Sequence, residues 1–162
     1  VGRDANLLED AFKFAKMGGT IDLTCGESES KFHSVADAVK KAKEEGVPME
    51  KVTMSSDGQG SWSNYDAEGK LVEIGVSDVD TIYRQIVYMA KEENMDFEEL
   101  LALGTKNPAM ALELYPKKGA VKEESDADIL IMNEALSLDT VIAMGVPMMR
   151  DGKILKKGTY EK

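Results

Sequence analysis

The amino-acid sequence predicts an α/β fold, and three observations carry the prediction. Stretches with apolar residues at helical spacing alternate with short β-branched runs over the first half of the chain. Glycines stand where one pattern gives way to the next. Length and composition suit one ordinary core: 162 residues, 43% apolar, against a soft prior of about 150 residues per domain.

The elements follow in order. Leu7, Leu8, Ala11, Phe12 and Ala15 recur at helical spacing, and Gly18-Gly19 ends that helix. Thr20 to Cys25 alternates as a strand. Ser34 with Asp37 reads as a capping box for a second helix bearing Val35, Ala38, Val39 and Ala42, which Gly46 and Pro48 close. Lys51 to Ser56 is the next strand. A glycine-rich segment from Gly58 to about Ser77 then reads as a long loop, the kind that serves as a lid, with Trp62 and Tyr65 as its anchors or as ordinary packing. Ser77 with Asp80 is expected to cap a third helix, Asp96 with Glu99 a short fourth, and Asn107-Pro108 to open a fifth. After Pro116 the texture changes. Lys117-Lys118-Gly119 is turn-rich, and strands are expected over 128–132, 140–144 and 146–149, with Asp151-Gly152 turning the chain into 153–155 as a two-residue hairpin. The expectation is a body over 1–116 and an antiparallel β tail over 117–162.

Charge bounds the function. The chain carries 30 acidic and 20 basic residues, and the excess lies mostly in the middle, where residues 58–116 hold 11 acids and 4 bases. A polyanion needs a Lys/Arg-rich surface, so nucleic acid is not an expected partner. The acidic middle reads as solvated helix surface. No run approaches the ~20 apolar residues of a membrane helix. A single cysteine, Cys25, excludes an internal disulfide framework and points to a reducing compartment, the cytoplasm. The first residues, Val1-Gly2-Arg3-Asp4, have neither a signal peptide's character nor an initiator methionine, which suggests a start inside a longer protein.

Asp57 is the leading candidate for chemistry. It follows a β-branched strand and precedes a glycine, so its carboxylate would project from the strand's C-terminal end, where parallel α/β folds build their sites. A carboxylate there can ligate a metal or move a proton. The alternative is a turn aspartate bonding backbone amides ahead of Gly58. Ser61, with Ser55 and Ser56, could donate to a substrate carboxylate or phosphate, or belong to a polar loop. Ser-Asp-Gly-Gln-Gly-Ser lacks the lysine and spacing of a phosphate-binding P-loop. His33 reads as the solvated flank of the second helix rather than a ligand, Met148-Met149 as core filler, and Arg3 as an anion fork or merely a terminal arginine.

Taken together, Gly18-Gly19-Thr20-Ile21-Asp22, Ser55-Ser56-Asp57-Gly58-Gln59-Gly60-Ser61, Asn107-Pro108-Ala109, Asp126-Ala127-Asp128-Ile129-Leu130, Asp151-Gly152-Lys153 and Lys157-Gly158-Thr159-Tyr160-Glu161 resemble the C-terminal part of the isoaspartyl (β-aspartyl) dipeptidases of the amidohydrolase superfamily. The Asp-Ala-Asp stretch and closing strands mark only the superfamily, whereas Ser-Ser-Asp-Gly-x-Gly-Ser is narrower. Glu124 stands where the superfamily tail often has a turn glycine. The resemblance implies a (β/α)₈ barrel with a small β-sandwich domain. It implies that Asp57 closes barrel strand eight, ligates one of two zinc ions and serves as general base and acid. It implies that Ser61 and Arg3 contact a substrate carboxylate. The family's His-x-His pair, carboxylated lysine and two further histidines are not in these residues. The chain therefore reads as a C-terminal fragment with an incomplete two-zinc site and no activity alone. Its two barrel strands are expected to leave open edges and an uncovered apolar interior face, so that it self-associates or accompanies the missing half. The substrate implied is a β-aspartyl dipeptide. Alternatives are a cyclic-amide hydrolase of the hydantoinase or dihydropyrimidinase kind, and a non-catalytic protein-interaction module.

Overall fold

The computed structural model describes residues 5–26 and 29–158. Helix α1 (Ala5–Lys16) leads to strand β1 (Ile21–Thr24), helix α2 (Glu29–Glu44) and, through a 3₁₀ turn at Met49–Lys51, strand β2 (Val52–Ser55). The two strands pair in parallel, with Ile21 opposite Val52 and Thr24 opposite Ser55. Glycine sets both helix ends. Gly18 takes φ 99° while Gly18 N–H donates to Ala15 O and Gly19 N–H to Phe14 O. Gly46 takes φ 68° while Gly46 and Val47 donate to Lys43 O and Ala42 O. In each case a residue without Cβ adopts the left-handed conformation that caps the last carbonyls.

Period two along the strands separates two faces. Ile21, Leu23, Val52 and Met54 pack under helices, beside Phe12 and Ala15 of α1 and Val35 and Val39 of α2. Helices α3 (Thr81–Lys91) and α4 (Phe97–Gly104) add Ile86, Met89, Leu100 and Leu103 to that core, and α5 (Lys106–Ala111) follows. The opposite face carries Asp22, Thr24, Thr53 and Ser55. The expected apolar interior face is thus corrected. The apolar side of the strand pair is the covered one, and the side away from the helices is polar.

Local expectations fare unevenly. Asp96 caps α4 as read, its Oδ1 accepting from Glu99 N–H at 2.9 Å. The Ser34 capping box is wrong, because α2 already begins at Glu29 and Ser34 lies within it. Tertiary contacts hold the added turn: Phe32 stacks on Tyr88 at 5.5 Å, and its carbonyl accepts from buried Gln85 Nε2 at 3.0 Å. His33 is therefore a helix residue, its Nδ1 sharing a 2.6 Å hydrogen bond with the Tyr88 hydroxyl, and not a mere flank. Ser77 does not cap α3. Asp80 holds that position, its carboxylate accepting from Arg84 Nε at 3.0 Å and not from a helix N–H, while Ser77 pairs through its backbone with Gln59 and Gly60. Pro108 stands third in α5 rather than first, still within the turn whose N–H groups have no intrahelical acceptor.

The segment read as a long loop is largely a hairpin, β3 (Ser61–Tyr65) and β4 (Leu71–Val76). Leu71 to Val76 has strand alternation at Val72, Ile74 and Val76, a pattern masked in sequence by the surrounding glycines. Gly75 lies opposite Trp62, and a Cβ there would come within 2.1 Å of the indole.

The tail forms an antiparallel sheet in the order β5 (Ile129–Met132), β6 (Leu138–Ala143), β7 (Val146–Arg150), β8 (Lys153–Ile154). Asp151 and Gly152 have φ of 50° and 70°, the paired positive values a tight two-residue hairpin demands. Lys118 bonds Asp126 at 3.0 Å and Asp128 at 2.5 Å, and Asp128 also accepts from Met144 N–H at 2.7 Å. These partners hold the Asp128 carboxyl below its ordinary range. Tyr83 OH donates to Leu136 O at 2.7 Å and docks the tail on α3.

Glu124 takes φ 69° in the turn closed by Ser125 N–H to Lys122 O. An L residue pays about 1–2 kcal/mol there, and glycine's extra unfolded entropy offsets about 0.5–1 kcal/mol of that. Glu124→Gly is expected to stabilise the chain by roughly 0.5–1 kcal/mol, read as a higher urea midpoint.

Candidate functional site

The site grows from the C-terminal end of β2. Val52 and Met54 anchor the strand in the core, while Thr53 and Ser55 face the polar side. Beyond Ser55 the chain leaves the strand abruptly. Ser56 Oγ accepts from Gly58 N–H at 3.1 Å, and Asp57 enters the left-handed region at φ 51°. Aspartate is one of the few side chains that visit that region, and non-glycine residues held there concentrate at functional sites. Gly60 N–H returns to Asp57 O at 2.8 Å, and a Cβ on Gly60 would stand 2.8 Å from both Asp57 O and Asp57 Oδ1. Glycine at 60 is therefore what lets the turn close against the carboxylate. Gln59 N–H to Ser77 O and Ser77 N–H to Gly60 O lock the base of the hairpin that follows.

Asp57 is solvent-exposed at this rim, and Ser61 opens β3 just past the same turn, paired with Val76. The turn brings these two expected site residues to one end of the strand pair. Arg3 lies outside the described residues. His33, in α2, is engaged with Tyr88 of α3.

Directly below the rim is a polar cluster that the sequence reading passed over. Asp22 Oδ1 accepts from Thr53 Oγ1 at 2.8 Å and Asp22 Oδ2 from Ser55 Oγ at 2.5 Å. The signal was available: an acid between Ile21 and Leu23 in a period-two strand must face away from the core. Cys25, one pair further along, is buried, and burial first, then the nearby Asp22 charge, push its thiol up to about 12. It is a packed, unreactive thiol. A separate open groove of about 1030 Å³ runs between Val76 and Val79 on one side and Val141, Met148 and Ile154 on the other. Its lining is mixed, since Gln59, Ser77, Asp78 and Lys156 also face it.

Among the described residues, no three His, Cys, Asp or Glu side chains gather into a set that could hold a metal ion. Asp57 offers one carboxylate, and a two-metal centre needs several more ligands. The described residues do not by themselves fit one. No described helix is long and apolar enough to cross a membrane.

Comparison with known proteins places this arrangement. Residues 3–155 match the family model of the Amidohydrolase family. The crystal structure of a beta-aspartyl dipeptidase from the thermophilic keratin-degrading Fervidobacterium islandicum AW-1, in complex with beta-Asp-Leu dipeptide, superposes with a TM-score of 0.82 and 35% identity, over 99% of this chain and 41% of that one. A second structure of a beta-aspartyl dipeptidase from that organism gives 0.77 and 32%, over 99% and 39%. An N-acetylglucosamine-6-phosphate deacetylase from Pasteurella multocida gives 0.58 at 14% identity, over 81% and 37%, a likeness of fold alone. The chain thus spans about two fifths of the length of the dipeptidases it resembles. Its parallel βα units with the carboxylate-bearing rim, and the family match over nearly all its residues, make this chain a member of the amidohydrolase family.

Proposed function

We propose that this chain supplies the Asp57 rim and part of the tail sheet of a metal-dependent β-aspartyl dipeptidase. The observation that carries the reading is the 35% identity, over essentially the whole chain, to a dipeptidase solved with beta-Asp-Leu. In this reading residues 1–116 belong to the (β/α)₈ barrel and 117–162 to the small β-sandwich. Asp57 is a general base and acid, accepting a proton as water attacks the scissile carbonyl and returning it to the leaving amine. That requires a carboxylate within hydrogen-bond reach of both groups, which its exposed place beyond the strand end allows. Ser61 and Arg3 contact the substrate's carboxylates. Zinc is the metal, and its other ligands come from residues outside those described. β1 and β2 form a two-stranded sheet among the described residues, so their outer edges await further strands, either from the rest of such a barrel or from a second copy. The buried, unpaired Cys25 suits a reducing cytoplasm.

The test is leucine release from β-Asp-Leu with added zinc, using the α-linked isomer as control. Residues 1–162 alone are expected to give none. A polypeptide carrying them together with the remaining barrel is expected to cleave the β isomer only. Cleavage by residues 1–162 alone would remove the claim of an incomplete site, and failure of the whole polypeptide to cleave the β isomer would remove the dipeptidase reading.

A further inference from the structure

We propose that Asp22 is a positioning residue for Asp57, acting through Thr53 and Ser55; this rests on the reading of Asp57 as the acid–base group. The argument begins with register. Asp22 lies opposite Thr53, and Thr24 opposite Ser55, on the face turned from the helices. Both Asp22 oxygens reach across to β2, one to Thr53 Oγ1 at 2.8 Å and the other to Ser55 Oγ at 2.5 Å. The same Thr53 hydroxyl proton also faces Ile21 O at 3.1 Å, so it is shared between the Asp22 carboxylate and the β1 backbone.

The clamp sits where it is needed. Ser55 is the last residue of β2, and its carbonyl accepts from Cys25 N–H at 2.8 Å. Two residues later Asp57 is held at φ 51°. Any rotation of the strand end would swing the carboxylate at the rim. A backbone ladder resists separation of two strands but resists twisting about the strand axis poorly. Side-chain bonds on one face supply that second restraint.

The chemistry explains why the residue is an acid. A carboxylate only accepts hydrogen bonds, so it takes the Ser55 proton and shares the single Thr53 proton with Ile21 O. An amide would offer an NH₂ to one of the two hydroxyls and hold the pair less firmly. Such charge-assisted bonds are also short and strong.

The experiment uses the polypeptide that carries these residues with the rest of the barrel, and compares Asp22→Ala, Asp22→Asn, Ser55→Ala and the double variant Asp22→Ala/Ser55→Ala. A misplacement on the order of 1 Å, or loss of a group supporting a reactive residue, costs about 10- to 100-fold. Asp22→Ala is expected to lower kcat for β-Asp-Leu by about that factor with KM within about twofold. Asp22→Asn is expected to recover part of the loss. Asp22→Ala/Ser55→Ala should be no slower than Asp22→Ala, because the two residues act as one unit. Amide hydrogen exchange should rise at residues 56–58 and stay unchanged in β5 to β7. If Asp22→Ala does not fold, Asp22→Asn and Ser55→Ala are read in the same way.

An unchanged kcat with unchanged exchange, multiplicative losses in the double variant, or a uniform rise in exchange over the whole chain would each overturn the assignment. Should the unsubstituted polypeptide fail to cleave β-Asp-Leu, the dipeptidase reading falls, and exchange alone decides Asp22. A rise confined to 56–58 sustains its positioning role, and no local change ends it.

Discussion

Asp57→Asn, in the polypeptide that completes the barrel, is expected to lower β-Asp-Leu turnover by about 10²- to 10⁴-fold, the range that removal of a general acid–base group produces. The substitution isolates chemistry from fold. Asparagine, like aspartate, tolerates the left-handed region, so φ 51° is kept. Its amide has nearly the same size, so the close fit against Gly60, where a Cβ would be only 2.8 Å from Asp57 Oδ1, is also kept. What disappears is the carboxylate that accepts the proton and returns it. The loss should fall on kcat, with the unfolding midpoint unchanged. Asp57→Ala tests the same step at the cost of strain at positive φ, and a small loss of stability is expected with it. Turnover by Asp57→Asn within tenfold of the unsubstituted enzyme would remove Asp57 from the chemistry.

The second large effect concerns stability. Asn107 is buried, and its Nδ2 donates to Met49 O and to Val52 O, both at 2.8 Å. One amide thus satisfies a carbonyl in the 3₁₀ turn and another at the start of β2, tying α5 to the root of the strand that ends at Asp57. Asn107→Leu fills the volume but leaves the Val52 carbonyl without its side-chain donor, while Met49 O keeps its bond from Val52 N–H. An unsatisfied buried group costs about 1–3 kcal/mol, and that is the expected loss. That is a large fraction of a typical stability of about 5–15 kcal/mol. Asn107→Asp should be at least as damaging, because a carboxylate would face two acceptors. Urea unfolding checks both, the expected result being a lower midpoint at unchanged slope. A loss below about 1 kcal/mol for Asn107→Leu would mean that another donor reaches the Val52 carbonyl.

Why some features were legible in the sequence and others were not has a common physical cause. Helix ends at Gly18 and Gly46 are local events. A glycine at positive φ and two backbone bonds complete each, so a few adjacent residues suffice to read them. The Asp96 cap and the Asp151-Gly152 hairpin are local in the same sense. The Ser34 box failed because a contact 53 residues away in sequence, Gln85 to Phe32 O, extends the helix past it. The hairpin over 61–76 was missed because glycines surround its alternation at Val72, Ile74 and Val76, and only the cross-strand pairing, Trp62 opposite Gly75, fixes it as a strand pair.

The candidate site divides along the same line. That Asp57 ends a strand, precedes a glycine and carries the narrow Ser-Ser-Asp-Gly-x-Gly-Ser pattern was determined by the residues in a row, and so was the family the chain resembles. That Asp22 grips Thr53 and Ser55, that Asn107 donates to two carbonyls at the root of β2, and that the face of the strand pair turned from the helices is the polar one were decided only by tertiary structure. Each depends on the register between strands or on groups more than 30 residues apart in sequence. Their hydrogen-bonding demands are visible in the sequence, but their partners exist only once the chain has folded.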